Sequence, residues 1–96
     1  MGRRVIERKL AELTDRLSRL RDDLGVADEQ LAHLENLAEE ARVRALVSET
    51  AIADREHREA ERHATAMKRQ RDRLNDEIDR LEVEQDEMLG RFMANG

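Results

Sequence analysis

Residues 44–57 read RALVSETAIADREH. The stretch holds neither Gly nor Pro, yet a heptad register that enters it from one side does not leave it on the other. Counting in alternating steps of four and three from Ile6 gives Leu10, Leu13, Leu17, Leu20, Leu24, Ala27, Leu31, Leu34, Ala38, Ala41 and Ala45, all apolar. That repeat is the seam of a coiled coil. Gly25 falls outside the seam, and the register passes through it unshifted. Continued past residue 45, the same count lands on Arg55, Glu59, Arg62, Ala66, Arg69 and Arg73, a face that cannot be buried. Displaced by one residue, a second seam appears: Ala53, His57, Ala60, Ala64, Met67, Arg71, Leu74, Ile78, Leu81, Gln85, Met88 and Phe92. Two helices of nearly equal length therefore flank a break between Ala45 and Ala53.

Folding the second seam back on the first pairs positions whose numbers total 98. Ile6 faces Phe92, Leu17 faces Leu81, Leu20 faces Ile78, Leu31 faces Met67 and Ala45 faces Ala53. Every a position meets a d position, as an antiparallel pair requires. Arg71 falls opposite the small Ala27, a fit that selects the register while the guanidinium reaches outward. Flanking charges support the same alignment: Arg16 near Glu77 and Glu84, Asp28 and Glu35 near Lys68, Arg42 near Asp54 and Glu61, and Arg44 near Glu56. Glu35 with Glu61 and Lys9 with Arg91 are like-charged exceptions. The expected fold is an all-α, antiparallel two-helix coiled-coil hairpin in one domain over residues 1–96. Helix one is expected over about 3–46, the tip over about 47–53 and helix two over about 54–93. Ser48, Thr50 and Asp54 are the candidate caps of the second helix. Val5, Val26, Leu37, Val83, Leu89 and Met93 lie outside the seam and raise the further expectation of a homodimer, two hairpins forming a four-helix bundle.

Composition agrees. Charged residues make up 43% of the chain and Phe92 is its one aromatic, with no Cys, Pro, Trp or Tyr. Such a chain lacks the large side chains of a globular core and suits long amphipathic helices. Without Cys there is neither a disulfide framework nor thiolate chemistry. No apolar run approaches the roughly 20 residues of a membrane span, and MGRRVIERKL has no apolar segment of the kind a secretory signal carries. A cytoplasmic protein is expected. A net charge of −5 argues against general nucleic-acid binding.

Few residues offer chemistry. Asp54 and His57 have the i, i+3 spacing of a carboxylate-bundle ligand pair, but helix one has no matching Glu-x-x-His, so no metal is expected. No Gly-rich loop and no Ser with a base and oxyanion hole is present, so neither catalysis nor a cofactor is expected. The basic run KRQRDR, residues 68–73, is read as a solvated face with Lys68 turned to Asp28 and Glu35. Nucleotide or nucleic-acid sensing through Arg71 and its neighbours is the alternative, and a purely structural spacer is a third. The tip holds more aliphatics than the seam needs. Leu46, Val47 and Ile52, with Glu49, Asp54 and Glu56 beside them, are the candidate partner-binding residues, and Val43 and Leu37 extend the apolar surface along helix one. Two readings stand for the tip: self-capping over the last Ala layers, or a contact head for another protein.

The architecture resembles the N-terminal coiled-coil hairpin of the Gre transcript-cleavage factors, whose acidic-tipped hairpin enters the secondary channel of bacterial RNA polymerase. The likeness covers most of the chain as architecture, with Asp54 and Glu56 near the tip, and implies a regulatory adaptor of bacterial transcription. The hairpin is also similar to an actinobacterial anti-sigma factor that binds cyclic di-GMP through E-x3-S-x2-R-x3-Q-x3-D motifs. The nearest stretches here are Thr14, Ser18, Arg21, Gly25, Glu29 and Glu61, Thr65, Lys68, Asp72, Asp76. Neither holds the Gln, so only a sigma-factor partner, and no ligand, follows from this likeness.

Overall fold

A computed structural model describes residues 2–95 of the chain. It contains two helices, α1 (Arg3–Ser48) and α2 (Ala51–Ala94), and the chain is an all-α helical hairpin. Burial follows the heptads closely. All twelve positions of each seam are buried or half-buried, and of the other described residues only Val5 and Glu77 are not exposed.

Contacts divide the chain into two units. The end unit takes α1 up to Leu24 and α2 from Arg73, and the turn unit is Gly25–Asp72. The end unit is built on large aliphatics. Leu17, Leu20, Ile78 and Leu81 are buried together, with Leu13, Leu24 and Leu74 packed against them. Ile6 and Met88 are also buried, Ile6 fully. Polar groups close the flanks of this seam. The Gln85 amide donates to the Thr14 hydroxyl at 3.2 Å, Arg16 pairs with Glu77, Arg21 lies 3.7 Å from Glu82, and the Arg3 guanidinium stands 4.2 Å from the centroid of the Phe92 ring. These contacts join residues whose numbers total 99, 93, 103 and 95, scattered about the 98 of the seam. Flanking positions on the two sides of an antiparallel seam are displaced in opposite directions, which explains why Arg16 selects Glu77 and not Glu84.

The turn unit is packed with alanine. Ala27, Leu31, Ala41 and Ala53 are buried, and Leu34, Ala38, Ala45, His57, Ala60, Ala64, Met67 and Arg71 are half-buried. Arg71 occupies its seam position and turns its guanidinium to Asp28 at 3.5 Å on α1 and Asp72 at 2.8 Å on its own helix. It thus takes the partner expected for Lys68. Arg42 likewise pairs within its own helix, with Glu39 at 2.6 Å, rather than across to Asp54 or Glu61.

The reversal is shorter than expected. Only Glu49 and Thr50 lie between the helices, where the sequence suggested a tip over 47–53. Two local devices make this possible. Glu49 adopts a left-handed backbone, φ 51°, and its N–H bonds to the Ala45 carbonyl at 3.1 Å, the single-bond form of a left-handed helix C-terminus. Thr50 then caps α2: its hydroxyl accepts the Ala53 N–H at 3.1 Å, and its carbonyl accepts from Asp54 at 3.1 Å. Of the three candidate caps, Thr50 is the one used. Asp54 sits in the first turn of α2, where its carboxylate favours the positive end of the helix dipole.

Candidate partner-binding apex

Because α1 runs on to Ser48 and α2 begins at Ala51, Leu46, Val47 and Ile52 are helical residues with fixed directions. Their heptad positions, b and c, lie on the side away from the seam. The structure leaves them 65%, 79% and 70% exposed, so they do not close over the Ala45 and Ala53 layer. Of the two readings of the tip, self-capping is therefore the one the geometry disfavours. Val43 adds to the same apolar surface, and Leu37 is partly exposed. Glu49, Asp54 and Glu56 are exposed around the apex. All six candidate residues are thus brought to one end of the turn unit, as aliphatics rimmed by carboxylates.

The electrostatics just below the apex are set by one ion pair. Two hydrogen bonds from Arg42, at 2.6 and 2.9 Å, hold the Glu39 carboxyl below the usual glutamate range, the Arg42 charge and His57 acting in the same direction. The partner effect raises Arg42. His57 fills a seam position and bonds Glu61 at 2.8 Å.

Other places offer less. A trough of about 520 Å³ in the turn unit is lined by Glu35, Glu39, Glu61, Lys68 and Arg71 among others. It is partly open to solvent, and its lining mixes two cations with three carboxylates. Among the described residues no three His, Asp or Glu side chains converge to hold a metal, and no helix is long and apolar enough to cross a membrane. The six residues that suggested a four-helix bundle spread around both helices. Val5 and Val26 are at position c, Leu37 at g, Val83 at f, Leu89 at e and Met93 at b, so they form no continuous stripe. Comparison with models of known protein families, with curated proteins and with solved structures finds no match.

Proposed function

We propose that this chain is a non-enzymatic protein-interaction module whose apex binds a partner protein. One observation carries the reading: Leu46, Val47 and Ile52 project from the helix ends with most of their surface in water, although the seam they adjoin is already complete. Burying an aliphatic side chain is worth about 1.5–3 kcal/mol, so three of them at one apex are a substantial anchor for a partner with an apolar recess. The carboxylates of Glu49, Asp54 and Glu56 form a polar rim that would orient it.

A regulatory adaptor of bacterial transcription, with RNA polymerase or a sigma factor as partner, is the specific form of this proposal, and it rests on the architectural resemblance. Nucleotide sensing through Arg71 has less support, because Asp28 and Asp72 already meet that charge. The test uses purified bacterial RNA polymerase core and sigma factor with the immobilised chain. Capture by the unaltered chain, lost in Leu46→Asp/Ile52→Asp while helicity and melting are retained, supports the reading. Leu20→Asp, which places a carboxylate in the buried cluster, should instead unfold the end unit. If the apex variant melts as early as Leu20→Asp, the aliphatics are structural. Failure to capture either protein removes the transcription reading.

A further inference from the structure

The side of α2 turned away from the seam, heptad positions f and b, is divided by charge. Its turn-unit part holds Arg55, Arg58, Arg62 and Arg69, with Thr65 among them. Its end-unit part holds Asp76, Asp79 and Asp86, with Val83 among them, and Asp72 stands where the sign changes. All of these side chains are exposed. Asp72 meets Arg71. The four arginines and the other three aspartates enter no ion pair among the described residues, although charges nearer the seam do, as in Arg71 with Asp28, His57 with Glu61 and Arg16 with Glu77.

We propose that this stripe binds the same stripe on a second copy of the chain, the two α2 helices lying antiparallel. One register, with facing positions totalling 141, sets three arginines of the stripe against three of its aspartates. Arg55 meets Asp86, Arg62 meets Asp79 and Arg69 meets Asp72, while Thr65 takes Asp76 and Arg58 lays its stem on Val83. An f position always faces a b position, the pattern of an antiparallel helix pair. Because α2 is one helix, each pair is made twice, and the contact is closed by a two-fold axis. Arg58, Arg62, Thr65 and Arg69 line an open cleft of about 520 Å³, which receives Asp79 and Val83 of the other copy. The contact also covers Val83, 59% exposed, which nothing within the hairpin covers. Beside the stripe, Arg80 faces Glu61 and Leu89 faces Ile52, while Asp54 with Glu87, Glu59 with Glu82 and Arg73 with Lys68 are like-charged.

Charge favours a helix over a nucleic acid as the occupant. Arg55, Arg62 and Arg69 recur about every 10.5 Å along a helix, matching carboxylates seven residues apart. Every third phosphate of a nucleic-acid strand, at about 3.4 Å each, would match that repeat too, but the acidic part of the stripe and the net charge of −5 would repel it. The contact borders the apex at Ile52. The variants below therefore leave Leu46, Val47 and Ile52 unchanged and read self-association, not partner capture, so either proposal can fail without the other.

Sedimentation equilibrium of the whole chain tests it. At about 0.1 M salt the weight-average mass should rise with concentration toward a dimer's and no further, and at about 1 M salt, where charges act only within a few ångströms, it should fall toward the monomer's. Arg55→Glu/Arg62→Glu leaves the stripe mostly acidic, with Arg58 and Arg69 its remaining cations, and Asp79→Arg/Asp86→Arg leaves it mostly basic, with Asp72 and Asp76 its remaining anions. Each alone should stay monomeric, and an equimolar mixture should associate again. If a reversed variant loses helicity, Arg55→Gln/Arg62→Gln replaces it and should also lose association. Reversing Asp15 and Asp22, exposed at position f of α1, should leave the wild-type behaviour intact. A monomer at 0.1 M salt, growth beyond a dimer, a mass that persists at 1 M salt, or equal loss in the Asp15/Asp22 control overturns the proposal. So does a monomer that retains a single-stranded oligonucleotide through Arg55 and Arg62.

Discussion

Glu49 offers a test in which the sign of the effect decides between two folds. Its φ of 51° is in the left-handed region, where an L-residue with a Cβ pays about 1–2 kcal/mol. Glycine removes that strain but gives the unfolded chain extra freedom worth about 0.5–1 kcal/mol. Glu49→Gly should therefore stabilise the hairpin by about 0.5–1 kcal/mol. For a domain of this size 1 kcal/mol shifts the melting temperature by about 4–8 °C, so a rise of a few degrees is expected. Suppose instead that the chain ran through residues 44–57 as one continuous helix, paired with another copy. Residue 49 would then lie in a helix interior, and the same substitution would cost about 1 kcal/mol.

Urea and thermal unfolding followed by circular dichroism, at fixed protein concentration, read the difference. Glu40→Gly is the control: Glu40 is exposed within α1 and should lose about 1 kcal/mol in either fold. Glu49→Val should destabilise, since a β-branched residue tolerates positive φ poorly. If Glu49→Gly and Glu40→Gly fall together, there is no left-handed residue at 49 and the two-residue reversal is refuted.

Three further outcomes are expected. Thr50→Ala should cost about 0.5–2 kcal/mol by removing the acceptor for the Ala53 N–H, while Thr50→Asp should restore most of it; equal loss in both would mean that the hydroxyl is not the cap. Arg71→Leu should leave the melting temperature unchanged or raise it, because exposed ion pairs are worth about 0–1 kcal/mol and a seam aliphatic about 1.5–3; a large fall would show that the Arg71 charge has a partner beyond Asp28 and Asp72. Glu39 should titrate below the ordinary glutamate range by NMR and return toward it in Arg42→Gln. Since its folded value is the depressed one, the contribution of this pair to stability is present above the unfolded value and fades as pH falls through the folded one.

The seams were fully legible because burial in a two-helix pair depends on one variable, the heptad position. A one-residue displacement of register between Ala45 and Ala53 was enough to place the reversal. The detail of that reversal was not legible. No Gly marks the left-handed residue, and Ser48, Thr50 and Asp54 are all competent caps, so only backbone geometry separates them. Ion pairs were legible where the seam dictates the partner, as in Arg16 with Glu77, and not where a carboxylate on the same helix competes, as for Arg42 with Glu39. The exposure of Leu46, Val47 and Ile52 needed the helix ends to be known to within a residue. The divided charge of the outer α2 stripe was present in the heptad count all along, but it stands out only once the charges nearer the seam are seen to be paired.

The two units should also differ in how readily they open. Most layers of the end unit set Leu, Ile or Met against a residue of similar size, whereas most layers of the turn unit set alanine against alanine or against a polar residue. At about 0.8 kcal/mol per buried CH₂, an Ala layer contributes several kcal/mol less than a Leu layer, partly offset because alanine loses no side-chain entropy. The turn unit also contains Gly25, exposed within α1, at about 1 kcal/mol relative to alanine. Amides of Leu17, Leu20, Ile78 and Leu81 should accordingly exchange only through global unfolding, and those of Ala38, Ala41, Ala60 and Ala64 through a smaller opening with a lower free energy. Native-state hydrogen exchange in increasing urea resolves the two classes. If both converge on one isotherm from zero denaturant, the hairpin is a single cooperative body and alanine packing is no weaker than leucine packing here. If the turn unit does open alone, a partner seated on Leu46, Val47 and Ile52 would slow exchange at Ala38, Ala41, Ala60 and Ala64 first, and apex binding could be followed by exchange without labelling the apex.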